Sequence, residues 1–304
     1  MLLLLALAVL YLVLTVLANV AIFMAFRSYS KFKINTFPAI LTNYIVCIIT
    51  GTMYIGIDNV TSQIDSSANW FYAAIILGVV FVSTFFLMAK TTQLRGVAVA
   101  TVANKMSLAI PVIFSLFIFK IGKSDLDTWN YLGIILAFVA ILMVTKKPSN
   151  QESSSKALKN LGLPLLLFLM GGVIDTGLNY ANHTYLTSDL EPIFPILIFG
   201  FAFITGITIA LILRIIVQWR DILGGIYLGI PNYFSIFFQL KALSAYDNNG
   251  ALVYPSLNIG IIVLSTLAAI LFFREKLTKL NWFGIALAVI VIFLLSHQEI
   301  LSYL

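Results

Sequence analysis

Charge is what this chain has least of. Only 10% of its 304 residues are Asp, Glu, Lys or Arg, against about a quarter in ordinary soluble domains. That is too little polar surface to cover a water-soluble globule. Cysteine is nearly absent. The single Cys47 makes no internal disulfide and supplies no metal cluster, and in its apolar block it reads as a small core residue. There are two histidines, and no H-E-x-x-H, G-x-S-x-G or G-x-x-x-x-G-K-[ST] pattern. These absences argue against a zinc or serine hydrolase and against ATP drive within the chain. The short alternating runs of a membrane β-barrel are also missing.

What is present is apolar sequence, 61% of the chain, in long blocks. Backbone groups in hydrocarbon must pair within their own segment, so such blocks are helices. Spans are expected near 2–26, 37–57, 70–89, 96–119, 129–145, 160–182, 193–217, 222–242, 249–273 and 281–298. Met1–Phe26 lacks a basic n-region and is too long for a signal h-region, so it reads as the first span. Trp70, Trp129, Trp219 and Trp282 stand near span ends as interfacial anchors. The longest polar stretch after the first half, Lys146–Asn160, has the composition of a flexible linker. The expected organisation is a first five-helix repeat at 1–145, a polar cytoplasmic linker at 146–159 and a second five-helix repeat at 160–304.

The two halves align. Span 3 matches span 8 through Gly78/Gly229, Phe86/Phe237 and Lys90/Lys241. Span 4 matches span 9 through Gly96/Gly250, Val99/Val253, Asn104/Asn258 and Phe119/Phe273. Span 5 matches span 10 through Asn130/Asn281, Gly133/Gly284 and Ala137/Ala288. Spans 1 and 2 match 6 and 7 only loosely. Five spans per half would insert the second half upside down relative to the first, and inverted repeats of this kind mark transporters with a midplane solute site.

Loop charge orients the chain. Alternate loops carry Arg27, Lys31 and Lys33; Lys90 and Arg95; Lys146, Lys147, Lys156 and Lys159; Arg214 and Arg220; Arg274, Lys276 and Lys279. The opposite loops carry Lys120, Lys123 and Lys241 with acidic Asp58, Asp65, Asp189 and Glu191. The positive-inside rule accounts for the net charge of +6 without nucleic acid and places both termini outside. The expected location is the bacterial inner membrane, as a multi-pass protein. Asn59-Val-Thr61 and Asn182-His-Thr184 match the glycosylation pattern on the outer side, which matters only in a eukaryotic secretory membrane.

The segment Phe273–Leu295, FREKLTKLNWFGIALAVIVIFLL, resembles the closing hairpin of the drug/metabolite transporter superfamily, EamA-like branch. That family ends each repeat with a pattern close to G-E-x-L-T-x-x-x-x-x-G, here Arg274-Glu275-Lys276-Leu277-Thr278 followed by Gly284. Met88-Ala89-Lys90 and Gln239-Leu240-Lys241 are similar to the Ala-Leu-Lys-like end of its third spans. The first half departs, with Lys120-Ile-Gly-Lys-Ser-Asp where the acidic residue would sit. The termini depart too, since members are commonly described with both on the cytoplasmic side. The resemblance implies ten spans and alternating-access transport, and leaves the substrate open.

Ionisable residues inside spans are functional candidates, because each costs roughly 2.5–3.5 kcal/mol to insert at a helix centre. Lys105 lies near the middle of span 4, and Asp175 about two-thirds through span 6. They read either as a solute site or as a buried pair fixing helix packing. Polar stripes accompany them: Asp175, Asn179 and Asn182; Tyr11, Thr15 and Asn19; Asn232, Ser235 and Gln239; Tyr254 and Asn258; Thr101, Asn104 and Lys105. The candidate substrate-binding residues are Lys105, Asp175, Asn104, Asn258, Asn179, Asn19, Tyr254, Asn232 and Gln239. Lys90 and Lys241 read as mouth residues or as snorkelling lysines, and His183 as a proton relay or an interfacial residue. Glu275 reads as closing its loop with a basic neighbour. Pro111, Pro231 and Pro255 would kink their spans. No metal, catalytic residue or cofactor is expected. One cation, one anion, amides and tyrosines suit a zwitterion such as an amino acid, moved by exchange, by protons or by its own gradient. A nucleotide-sugar or sugar-phosphate exchanger is the alternative, and an intramembrane enzyme a distant third. The expected partners are a small-molecule substrate, lipid, and protons or a counter-substrate, with the chain a monomer or homodimer.

Overall fold

The computed structural model describes residues 2–110, 128–146, 154–246 and 250–303. The rest, including Pro111, Phe119, Lys120, Lys123 and residues 147–153 of the linker, lie outside the described residues. The helices are α1 (Leu2–Phe32), α2 (Thr36–Ile55), α3 (Ile57–Gln63), α4 (Asn69–Arg95), α5 (Val97–Lys105), α6 (Thr128–Thr145), α7 (Ser154–Thr184), α8 (Ile193–Ile212), α9 (Trp219–Ala245), α10 (Gly250–Phe273) and α11 (Lys279–Tyr303). A 3₁₀ turn, Met106–Leu108, follows α5. No strand occurs among the described residues.

Eight of these helices are long and apolar enough to cross a membrane: α1, α2, α4, α6, α7, α8, α10 and α11. The other two expected spans differ for separate reasons. Helix α9 has 27 residues but carries Asn232, Ser235 and Gln239, so it falls short in apolarity. The fourth span is described only as far as Ile110, as the short apolar stretch Val97–Leu108 and the two residues after it. Apolar side chains cover the outside, and polar ones are buried within a largely apolar core. Leu17, Ile76, Ile135, Leu169, Ile204 and Leu267 are exposed, whereas Asn43, Asn104, Lys105, Ser107, Asn232, Asn258 and Ser265 are buried. That inversion of the soluble pattern is what lipid as solvent demands.

Helix ends on the basic face share one device. Lys33, Arg214 and Arg274 adopt left-handed backbone, with φ of 54°, 51° and 51°. Each follows the last turn of α1, α8 or α10, and the next N–H reaches back to close the turn: Ile34 to Tyr29, Ile215 to Ala210 and Glu275 to Ala269. Glycine usually fills that place. A cation there sits against the helix C-terminal carbonyls, which favour positive charge. Trp129, Trp219 and Trp282 are exposed as interfacial anchors would be, but Trp70 is buried and packs edge-on against Phe71, so it is a core residue.

Close packing concentrates at glycines. Helix α4 lies on α8 at Gly78, where an added Cβ would meet Phe201 Cβ at 2.6 Å and the backbone of Ala202 and Ile198 at 2.9 Å. Helix α9 lies on α2 at Gly229, against Val46 Cβ at 2.5 Å and the Asn43 carbonyl at 3.0 Å. Helices α2 and α8 also touch each other, α6 pairs with α11, and α5 with α10. Helix α1 packs on α9 and α10, and α7 on α4 and α5.

Candidate functional site

The two charges set within apolar sequence arrive from different halves of the chain. Lys105 is the last residue of α5, and Asp175 projects from α7. The 3₁₀ turn at Met106–Leu108 tightens the chain just past Lys105 and carries Ser107 to Asp175. The Ser107 hydroxyl donates to Asp175 Oδ2 at 2.9 Å. Lys105 Nζ reaches Asn19 Oδ1 on α1 at 3.5 Å, and the Asn19 amide donates to the Thr15 carbonyl at 3.0 Å. The direct Lys105–Asp175 ion pair that their charges allow is not formed. The ion pairs within 4 Å among the described residues are Arg27–Glu275 and Lys241–Glu191.

Lys105 and Asp175 instead share a cavity of about 60 Å³ between α1, α4, α5, α7 and α9, room for a few waters. Asn19, Asn104, Asn232, Ser235 and Gln239 complete its polar wall, and Phe81, Phe85 and Ile236 are among its apolar residues. Gln239 Nε2 is buried, with the Tyr254 hydroxyl beside it but no hydrogen bond of good geometry among the described residues. An orphaned buried donor is costly unless water or a ligand satisfies it. Asn232 also ties α9 to α2, where its amide donates to Asn43 Oδ1 at 3.1 Å. Asn43 is a site-supporting residue that helical spacing gave no reason to single out. Cys47, on the next turn, is buried and donates to the Gly229 carbonyl at 3.2 Å, as a core residue.

Several candidates stand elsewhere. Asn258 does not line the cavity. Its amide donates to the Lys105 carbonyl at 3.2 Å. Tyr254 donates to the Asp175 carbonyl at 3.4 Å. Both α10 residues therefore brace the backbone that carries the two charges. Asn179 and Asn182 continue the α7 stripe away from the cavity, and Asn182 is buried, which leaves its glycosylation pattern without room for a glycan. Asn59 is exposed. Thr101 is used between helices, accepting from Ser265 at 3.0 Å. His183 is exposed at the end of α7 and outside the cavity, so it holds no place in a relay there. Lys90 and Lys241 lie over the rings of Phe86 and Phe237, at 5.5 and 6.0 Å, the same contact in both halves. Lys241 also pairs with Glu191 at 3.0 Å, and Ser244 donates to that same Glu191.

The basic face is closed by a second constellation. Glu275 forms a 3.0 Å ion pair with Arg27 Nε. Its two oxygens also accept the Val97 N–H at 3.0 and 3.2 Å, capping α5. Arg27 in turn donates to the carbonyls of Gln93 and Thr92, at 3.1 and 3.5 Å, at the end of α4. Gly96, with φ of 98°, makes the approach possible, because a Cβ there would stand 3.0 Å from the carboxylate. Glu275 thus closes its loop with a basic partner, as expected, though that partner comes from α1. A vestibule of about 470 Å³ surrounds it, lined by Arg95, Lys146, Arg274 and Lys276.

Among the described residues no three His, Cys, Asp or Glu side chains are placed to hold a metal. No protein-family model matches the chain. It is 28% identical over 295 residues to an uncharacterized protein of Haemophilus influenzae, covering 95% of this chain and 98% of that one. A solved crystal structure superposes with a TM-score of 0.58 at 12% identity, over 94% of this chain and 98% of the other. That likeness speaks to the fold alone.

Proposed function

We propose that the protein is a secondary transporter for a small zwitterionic metabolite of the amino-acid class, built as ten spans in two inverted five-helix repeats. The observation that carries this reading is the cavity that Lys105 and Asp175 share without an ion pair within 4 Å between them. Two opposite charges that face one cavity without closing on each other are a poor packing device and a good pair of binding groups. A solute carboxylate would take Lys105, and its ammonium Asp175. Asn104 and Gln239 supply further hydrogen bonds.

Packing supports the inverted repeats. Gly51 on α2 faces Ile196 and Tyr233, and Gly206 on α8 faces Leu41 and Val82. Exchanging the halves at the register that joins Gly51 to Gly206 carries Leu41 onto Ile196. The Gly78/Gly229 register carries Val82 onto Tyr233. Helix neighbours exchange in the same way: α1–α9 with α7–α4, α2–α9 with α8–α4, and α1–α10 with α7–α5. In this reading α9 is the eighth span, its polar residues facing the cavity.

The cavity is far smaller than a metabolite, so loading requires the helices to part. Helix α5 links the two constellations: its first residue is capped by Glu275 and its last is Lys105, roughly 12 Å apart at 1.5 Å per residue. Breaking Arg27–Glu275 would free α5 to move with the site. A sugar phosphate or nucleotide sugar fits less well, since among the described residues Lys105 is the one cation lining the cavity and phosphates draw clustered arginines. Counterflow of labelled amino acids into proteoliposomes tests the proposal. Exchange is expected for at least one zwitterion, and a folded protein that moves none, or moves only phosphorylated solutes, overturns it.

A further inference from the structure

The groove between the end of α1 and the start of α9, on the basic face, is separate from the cavity and has no part in the transport reading. It encloses about 700 Å³. Lys31, Lys33 and Arg220 supply three cations to its wall, and Phe32, Leu223 and Tyr227 the apolar surface. All six side chains are exposed. Among the described residues no carboxylate lines the groove. The nearest in sequence, Asp221, is fully buried and turned inward, accepting from the Asn35 N–H at 2.7 Å, the Asn35 amide at 3.1 Å and the Gln218 N–H at 2.9 Å. The groove wall is fixed: Tyr29 donates to the Gly224 carbonyl at 2.9 Å, and a Cβ at Gly224 would meet Ile34 at 2.8 Å.

We infer that this groove binds the headgroup of an anionic phospholipid. Three cations with no opposing carboxylate attract a phosphate. The apolar surface decides in favour of lipid over a free anion. On α9 the exposed stripe runs from Leu223 through Ile226 and Tyr227 to Ile230. That spacing keeps one helix face, so acyl chains laid along it continue directly from a phosphate seated on Lys31, Lys33 and Arg220. The left-handed backbone of Lys33 (φ 54°) sets a cation where glycine is the unstrained choice.

Native mass spectrometry and thermal unfolding of the purified full chain in neutral detergent test the inference, with phosphatidylglycerol, cardiolipin, phosphatidylcholine and inorganic phosphate as probes. Bound adducts and a raised midpoint are expected with the two anionic lipids only. Lys31→Gln/Lys33→Gln/Arg220→Gln should weaken that binding roughly a hundredfold, and Arg220→Gln alone several-fold. Lys276→Gln, outside the groove, should leave it unchanged. Equal binding of phosphatidylcholine, saturation by inorganic phosphate alone, or full retention by the single and triple variants overturns it. Because counterflow is not the readout, the transport proposal can fail while this one stands.

Discussion

Asn130 and Asn281 make the same bond in opposite directions. Asn130, at the start of α6, donates to the carbonyls of Leu294 and Leu295 near the end of α11. Asn281, at the start of α11, donates to those of Met143 and Val144 near the end of α6. Gly133 and Gly284, one turn further along each helix, lie against Leu294/Leu295 and Met143/Val144 in turn. Two antiparallel helices locked by reciprocal amides and reciprocal glycines should respond alike to like substitutions. Asn130→Leu and Asn281→Leu are each expected to lower the thermal midpoint. The cost should be about 0.5–1.5 kcal/mol for each lost hydrogen bond, with the double variant falling short of the sum. A cost confined to one side, measured by unfolding in detergent, would argue against a symmetric lock.

The glycine contacts predict a graded series. Alanine normally gains about 1 kcal/mol over glycine inside a helix. At Gly78 and Gly229 the new Cβ meets backbone or a Cβ at 2.5–3.0 Å, so both alanine variants should be destabilised and α4 and α9 pushed off their partners. At Gly206 the near atom is the tip of the Leu41 side chain, which can rotate, and the change should be close to neutral. Gly200 has open space, so Gly200→Ala should stabilise. Unfolding midpoints falling in any other order would show that these contacts do not carry the packing.

Much of this was legible in the chain, and what was missed has physical reasons. Lys105 and Asp175 stood out because charge within apolar sequence is rare, and both do reach one cavity. Asn130/Asn281 and Gly133/Gly284 were legible because small and amide residues break the monotony of apolar helices. Spans 2 and 7 match only loosely in sequence because Gly51 and Gly206 are recognised by what they touch, and their partners, Ile196 and Leu41, are interchangeable with any aliphatic residue in a sequence comparison. Tyr254 and Asn258 were assigned to the cavity because spacing gives a helix face but not the rotation of that helix against its neighbours. The Arg27 contact with Glu275 spans almost the whole chain and carries no periodicity at all.

Neutralising the cavity charges separates binding from packing. Lys105→Ala and Asp175→Asn are each expected to abolish counterflow, at least a hundredfold below the parent. Each should also leave the folded protein close to the parent in stability, because neither breaks a direct ion pair within 4 Å. Removing one partner of a true buried pair would instead cost about 3–5 kcal/mol. Normal transport by either variant would remove that residue from the site. A large fall in stability restored in the double variant would make the two charges a packing device.

The Arg27–Glu275 pair should act as a latch on the basic face. Glu275→Ala removes the ion pair and the cap on α5 together. In a Cys47→Ser background, a cysteine introduced at Ser235 reports access to the cavity. Labelling by a membrane-impermeant thiol reagent should rise several-fold from the side bearing the 146–159 linker and stay unchanged from the side bearing 58–69. The same reagent applied to cysteines placed in those two segments fixes which side is which in the cell. The expected result puts 146–159 in the cytoplasm. Increased access from the 58–69 side alone would move the latch to the opposite gate, where Lys241 and Glu191 are paired.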